Sequence, residues 1–174
     1  MKRSNYFFAM ICISLLGCMN PSVRTVNEKF FSEKHPTRLM VVRFEGKTDF
    51  VDDSTDYFIS VLQPNKKIEV IRGQPVRVES PDITGAGNIA PLELGLREAR
   101  GKGVDLLIMG KVTSHATSGM LNGFSTVRIY DVSTGDEVAN FHRPSGKLFG
   151  YSEHQCVMAA VKRTAKDTLA ILAR

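Results

Sequence analysis

The sequence predicts an α/β (α+β) single domain, a mixed β-sheet with helices packed on it, in the order β-α-β-α-β-β-β-α. Three observations carry the prediction. Between residues 38 and 112, short β-branched and apolar runs alternate with stretches of helical periodicity, the pattern of strands joined by crossover helices. Residues 124–142 hold two alternating segments on either side of Thr134-Gly135, which reads as a hairpin. Residues 152–172 then carry one broad apolar stripe of a long closing helix.

Arg38–Glu45 (RLMVVRFE) has the β-branched and aromatic centre of a strand, and Gly46 closes it. Phe50, Tyr57, Phe58 and Val61 recur at helical spacing, with Asp49 or Asp52 available as the cap and Pro64-Asn65 ending the helix. Lys67–Ile71 (KIEVI) is a second strand. Gly73–Ala90 is rich in Gly, Pro, Ser and Asp and reads mostly as loop, with room for a short strand at Val76–Val78. Pro91 opens a helix whose Leu92, Leu96 and Ala99 share one face, and Gly101 and Gly103 stop it. Val104–Val112 is nearly all apolar, as a strand covered on both faces should be. Phe124–Val132 alternates, and Glu137–His142 returns as its hairpin partner. Thr113–Gly123 and Pro144–Gly150 read as loops. In the closing helix Val157, Met158, Val161, Ala165, Leu169 and Leu172 oppose Lys162, Arg163, Lys166 and Asp167.

The amino terminus supplies the strongest functional signal. Lys2 and Arg3 precede an apolar stretch from Tyr6 to Leu16. That run is too short for a membrane-spanning helix, which takes about 20 residues, and suits the core of a signal peptide. Leu15-Leu16-Gly17-Cys18 follows and resembles the lipobox of bacterial lipoproteins, although Leu16 stands where that group usually carries a smaller residue. The resemblance implies cleavage after Gly17, lipidation of Cys18 and an anchor of more than one acyl chain, enough for stable membrane attachment. The domain reading is a signal peptide over 1–17, a lipidated tether over 18–37 (polar, without clean periodicity, with prolines at both ends) and the folded domain over 38–174. Met19 after the cysteine, in place of an Asp, makes the periplasmic side of the cell outer membrane the default location for this class.

Removing residues 1–17 takes Lys2 and Arg3 from the 23 Lys+Arg, leaving 21 against 18 Asp+Glu. That small surplus on a mixed surface gives no reason to expect a nucleic-acid partner. Of the 3 cysteines, Cys12 leaves with the signal and Cys18 takes the lipid, so Cys156 is left as a small buried hydrophobe.

The order of elements, with three local signatures, resembles the amino-terminal domain of TolB and its lipoprotein relatives, among them CsgG, FlgO and LpoB. The signatures are Val42-Arg43-Phe44-Glu45 at the end of the first strand, Ala99-Arg100-Gly101-Lys102-Gly103-Val104-Asp105 running into a strand that closes on Gly110, and Val127-Arg128-Ile129-Tyr130-Asp131 ahead of Thr134-Gly135-Asp136-Glu137. The resemblance covers residues 38–143. It implies an outer-membrane lipoprotein that contacts or assembles other envelope proteins, and it brings no catalytic residues. Loops at Thr113–Gly123 and Pro144–Gly150 argue against a CsgG-type pore, which needs long membrane-crossing hairpins, while homo-oligomerisation stays open.

No catalytic pattern competes with this expectation. His35, His115, His142 and His154 show no metal-ligand spacing, so no metal site and no cofactor is expected. Gly85-Ala86-Gly87 and Gly101-Lys102-Gly103 lack the context of a phosphate loop, and no serine stands in a nucleophile elbow. Asp49, Asp52, Asp53 and Asp56 suit the start of a helix and miss the calcium-loop pattern. The segment from His142 to Tyr151 mixes basic and aromatic residues, so Arg143, Lys147, Phe149 and Tyr151 are the candidate partner-binding residues. The expectation is a non-enzymatic, lipid-anchored accessory factor for envelope assembly or regulation. The alternative is a periplasmic small-ligand or glycan-binding lipoprotein, using the groove beside Gly110 and the Gly73–Ala90 loop.

Overall fold

The computed structural model describes residues 22–75, 91–117, 120–148 and 152–173. Cys12, Gly17, Cys18, the Val76–Val78 segment and Gly85–Gly87 lie outside them. The elements in chain order are β1 (Val23–Val26), α1 (Glu28–Glu33), β2 (Arg38–Val41), β3 (Glu45–Gly46), α2 (Thr48–Leu62), β4 (Glu69–Arg72), α3 (Pro91–Gly101), β5 (Leu106–Thr117), β6 (Met120–Asp131), β7 (Glu137–Leu148) and α4 (Glu153–Leu172). They build one seven-stranded mixed sheet in the order β1-β7-β6-β5-β2-β4, with β3 pairing β5. The α/β class and the helices packed on the sheet are as the sequence predicts.

Strands β2, β3, β4 and β5 pair in parallel, as crossover helices require, and β5, β6, β7 and β1 pair antiparallel. Alternation along the strands sends side chains to two cores. Leu39, Val41, Leu106, Ile108, Val127, Ile129 and Phe141 meet Phe58 and Leu62 of α2 and Val157, Val161 and Ala165 of α4. Met40, Leu107 and Tyr130 point the other way and meet Leu96 and Ala99 of α3. Phe58, Leu106, Ile108 and Phe141 are fully buried, each worth roughly 1.5–3 kcal/mol of transfer free energy. Ser152 caps α4 through the Gln155 N–H at 3.2 Å, and Gln155 returns its side-chain oxygen to the Ser152 N–H at 2.9 Å, a complete capping box. Gly135 takes φ +82 in the β6–β7 turn, where its N–H reaches the Asp131 carbonyl at 2.7 Å. Cys156 is buried, with its thiol 3.5 Å from the Leu121 carbonyl.

Three expectations are corrected. The tether over 18–37 is folded from Val23: Val23–Val26 pair with Ala139–His142, Asn27 caps α1, and Phe31 is buried in the main core. A four-residue edge strand with an exposed face carries no alternation for the sequence to reveal. Thr113–Gly123 and Pro144–Gly150 are for the most part strand, since β5, β6 and β7 are each twelve residues long and stay in register to Thr117↔Met120 and Met120↔Leu148. Small and polar residues hide this ribbon in the sequence. Pro144 lies just beyond His142, the last residue of β7 that pairs with β1 among the described residues, and such an edge position tolerates proline. Finally, α2 begins after Lys47 without a side-chain cap, and Asp52 instead pairs with Arg43 at 2.7 Å.

Candidate functional site

Two features stand out on the face of the sheet opposite α2 and α4. The first is a cleft of about 440 Å³ where α3 begins. Its floor follows from register. Met109 pairs with Arg128 and Lys111 with Thr126 across β5 and β6, and a period of two puts all four on one face. Pro91 and Leu92 of α3 form one wall, Glu45 of β3 stands beside Lys111, and Tyr130 closes one end. Gly110 lines the cleft by its backbone, while on the other side of the sheet the Phe44 ring lies 2.3–2.4 Å from where a Cβ would stand. Any side chain there would collide with that ring.

The electrostatics of this cleft are unbalanced. Lys111 is exposed and has no ion pair or hydrogen bond among the described residues. Arg128 makes one long ion pair, 3.7 Å to Glu137. The adjacent Tyr130 hydroxyl and then the Glu137 carboxylate hold its guanidinium above the ordinary value. Thr126 offers a hydroxyl that also meets His142 Nδ1 at 2.9 Å.

The second feature continues the first along the ribbon. His115, Phe124 and His142 are diagonal neighbours on β5, β6 and β7. The His115 ring meets the Phe124 edge at 5.8 Å, and the His142 ring stacks on Phe124 at 5.9 Å and 15°. His115 is exposed and His142 half-buried, so the strip presents imidazole to solvent over a buried phenyl ring.

A larger cleft of about 640 Å³ lies at the opposite end of the sheet, but its charged groups are engaged internally. Asp131 accepts from Lys34 Nζ at 2.8 Å and from the Ser133 N–H and hydroxyl at 2.9 and 2.7 Å. Burial alone would raise the Asp131 carboxyl. The hydrogen bonds from Lys34 and Ser133 outweigh it and hold the group below the ordinary carboxylate range. Asp105 accepts from the Thr37 and Arg38 N–H groups, and Arg100 donates to the Val132 carbonyl. This cleft ties α1 to the β6–β7 turn.

Of the partner-binding candidates, Arg143 sits in β7 and points at α4, where its Nε meets Asp167 Oδ2 at 2.6 Å. Lys147 lies in β7 opposite Leu121. Phe149 and Tyr151, like Gly17 and Cys18, lie outside the described residues. The segment expected to be a recognition loop is therefore strand as far as Leu148. A cleft lies beside Gly110, while residues 76–90 of the loop expected to border it lie outside the described residues. The chemistry of the cleft comes from Lys111, Thr126, Arg128, Tyr130 and Glu45, which the sequence shows only as alternate positions on neighbouring strands. No cluster of three or more His, Cys, Asp or Glu among the described residues could hold a metal, and no helix among them is long and apolar enough to cross a membrane.

No protein-family model and no curated protein matches the sequence. Among solved structures, the PelC dodecamer from Paraburkholderia phytofirmans is similar at a TM-score of 0.59 and 14% identity, covering 90% of this chain and 99% of that one. A lipoprotein from Neisseria meningitidis, GNA1162, aligns at a TM-score of 0.44 with 12% identity over 76% of this chain and 98% of its own. The LpoB C-terminal domain from Escherichia coli aligns at 0.41 with 12% identity over 67% and 94%. At these identities the PelC likeness establishes a shared fold.

Proposed function

We propose that the chain is a cell-envelope lipoprotein, cleaved after Gly17, acylated on Cys18 and held on the periplasmic side of the outer membrane. It works there without catalysis, as an assembly or regulatory factor that acts through protein contacts. The observation that carries the reading is the free end of the β5–β6–β7 ribbon. Among the described residues, Thr113–Thr117 of β5 and Arg143–Leu148 of β7 pair inward with β6 and have no strand on their outer sides. Unpaired edge N–H and C=O groups are what an added strand binds. Pro144 interrupts the β7 edge, so the β5 edge is the better acceptor.

The shared fold with a subunit of the PelC dodecamer supports a second copy of this chain as one such partner. The anchor fits the same end of the molecule. Cys18 precedes Val23 by five residues, a reach of at most about 18 Å, and Val23 enters the sheet beside His142, where the ribbon begins.

The test places a photo-reactive residue at His115 on the β5 edge, and separately at Lys147, in cells expressing the full chain. Discrete adducts with a second copy or another envelope protein are expected on irradiation. Membrane-fractionated chain that yields no adduct from either position overturns the reading.

A further inference from the structure

The cleft at the start of α3 is not used by an assembly role, and its chemistry is that of a ligand site. Its volume, about 440 Å³, falls within the range of small-molecule sites, about 300–1,000 Å³. Two cations line it and only one carboxylate, Glu45. Lys111 makes no ion pair among the described residues, its nearest carboxylate being that of Glu45 on the neighbouring strand, and Arg128 has the Tyr130 hydroxyl beside it and leans on Glu137 at a distance too long for a hydrogen bond. Because Glu137 lies outside the lining, the cleft wall itself carries one more positive than negative charge, which suits a single negative charge from outside, and a guanidinium fork holds a carboxylate in particular.

The other lining groups narrow the class. Pro91, Leu92 and Met109 offer an apolar wall suited to the C–H face of a ring. Thr126 and Glu45 offer partners for hydroxyl groups, Glu45 only as an acceptor. Glu45 also stands against a dianion such as phosphate, which its own charge would repel. A ring with one carboxylate and several hydroxyls satisfies every one of these groups.

We propose that this cleft binds a carboxylated sugar. The surface beyond Thr126 is continuous with it: Thr126 meets His142, and the His142–Phe124–His115 stack extends along the ribbon. The His115 and His142 rings, held over the buried Phe124 on this sheet face, give neighbouring sugar units something to stack on. The site therefore takes a sugar acid either free or within a glycan, and in the second case the strip adds to the binding.

The proposal stands apart from the anchor and from assembly, because binding is measured on purified chain in detergent whether or not it is acylated. Full-length chain is titrated calorimetrically with trigalacturonate, with galacturonate and with the neutral galactotriose. Saturable binding of the acidic ligands is expected, with galactotriose at least about tenfold weaker and the affinity falling as salt is added. R128Q and K111Q each weaken acidic-ligand binding by about tenfold, whereas Lys162→Gln on α4 leaves it unchanged. A trisaccharide that binds more tightly than the monomer, by a margin that H142A removes, assigns the site to a glycan. Equal affinity assigns it to the free sugar acid. The proposal is overturned if galactotriose binds as well as trigalacturonate, if neither R128Q nor K111Q has any effect, or if chain with an intact unfolding transition binds no acidic ligand.

Discussion

Gly123→Ala tests how α4 is seated on the ribbon. A Cβ built on Gly123 would lie 2.3 Å from the Cys156 carbonyl carbon, 2.4 Å from the Val157 nitrogen and 2.5 Å from the Cys156 oxygen. Ordinary contact needs 3.4 Å or more, so one of the two backbones must yield by about 1 Å. Neither yields freely. Gly123 is pinned by pairing to Ser114 on one side and Ser145 on the other, while Cys156 and Val157 are fully buried in the first turns of a capped helix. Overpacking of this kind typically costs about 1–3 kcal/mol. In a domain of this size that corresponds to a Tm lower by roughly 2–12 °C. Gly101→Ala is the matched control: nothing lies within 4 Å of its Cβ, and it ends α3 without a positive φ, so it should be neutral or slightly stabilising. Thermal unfolding of both variants, followed by far-UV circular dichroism, decides the matter. Equal Tm values for the two would refute the claim that close approach of α4 to β6 demands glycine.

D131N removes the charge that Lys34 and Ser133 hold. Because the folded carboxyl titrates below its unfolded value, its contribution is fully present above the unfolded pKa and is lost as pH falls through the folded one. The variant should lose about 1–2 kcal/mol at neutral pH, and that deficit against the wild type should shrink in acid below about pH 4, as denaturant titrations across pH would show. T164V strands the buried Ser125 hydroxyl, now 2.9 Å from Thr164 Oγ1, and should cost about 1–3 kcal/mol, of which adding Ser125→Ala recovers part; a double-mutant cycle with no coupling would count against the pairing. C18S should abolish fatty-acid labelling and release the chain from membranes, and labelling that persists in this variant would rule out acylation at Cys18.

What is legible in the sequence is what local periodicity and burial dictate together. The closing helix can be read because one face of α4 is apolar along its whole length, and β5 can be read up to Val112 because α2 and α4 on one side and α3 on the other demand apolar residues at consecutive positions. The ribbon end escapes such reading because its burial comes from one face only and from small groups. Gly123 must be bare to admit α4, Ser125 and Ser145 are buried polar residues, and His115 and His142 replace aliphatics on the open side. Each of these residues is a turn or surface signal when met alone. The same logic hides the cleft. Lys111 and Arg128 are ordinary solvent-facing positions on alternating strands, and only the register between β5 and β6, with α3 beginning beside them, makes two charges neighbours. Gly110 is the exception, since a glycine inside an otherwise apolar strand announces a close approach, here that of the Phe44 ring. The residues hardest to read are thus of two kinds, the small and polar ones that α4 covers at the ribbon end and those on the side of the sheet that no described helix covers beyond α3. An uncovered sheet face relaxes the demand for apolar packing, so polar side chains are free to serve an edge-pairing partner or a bound ligand.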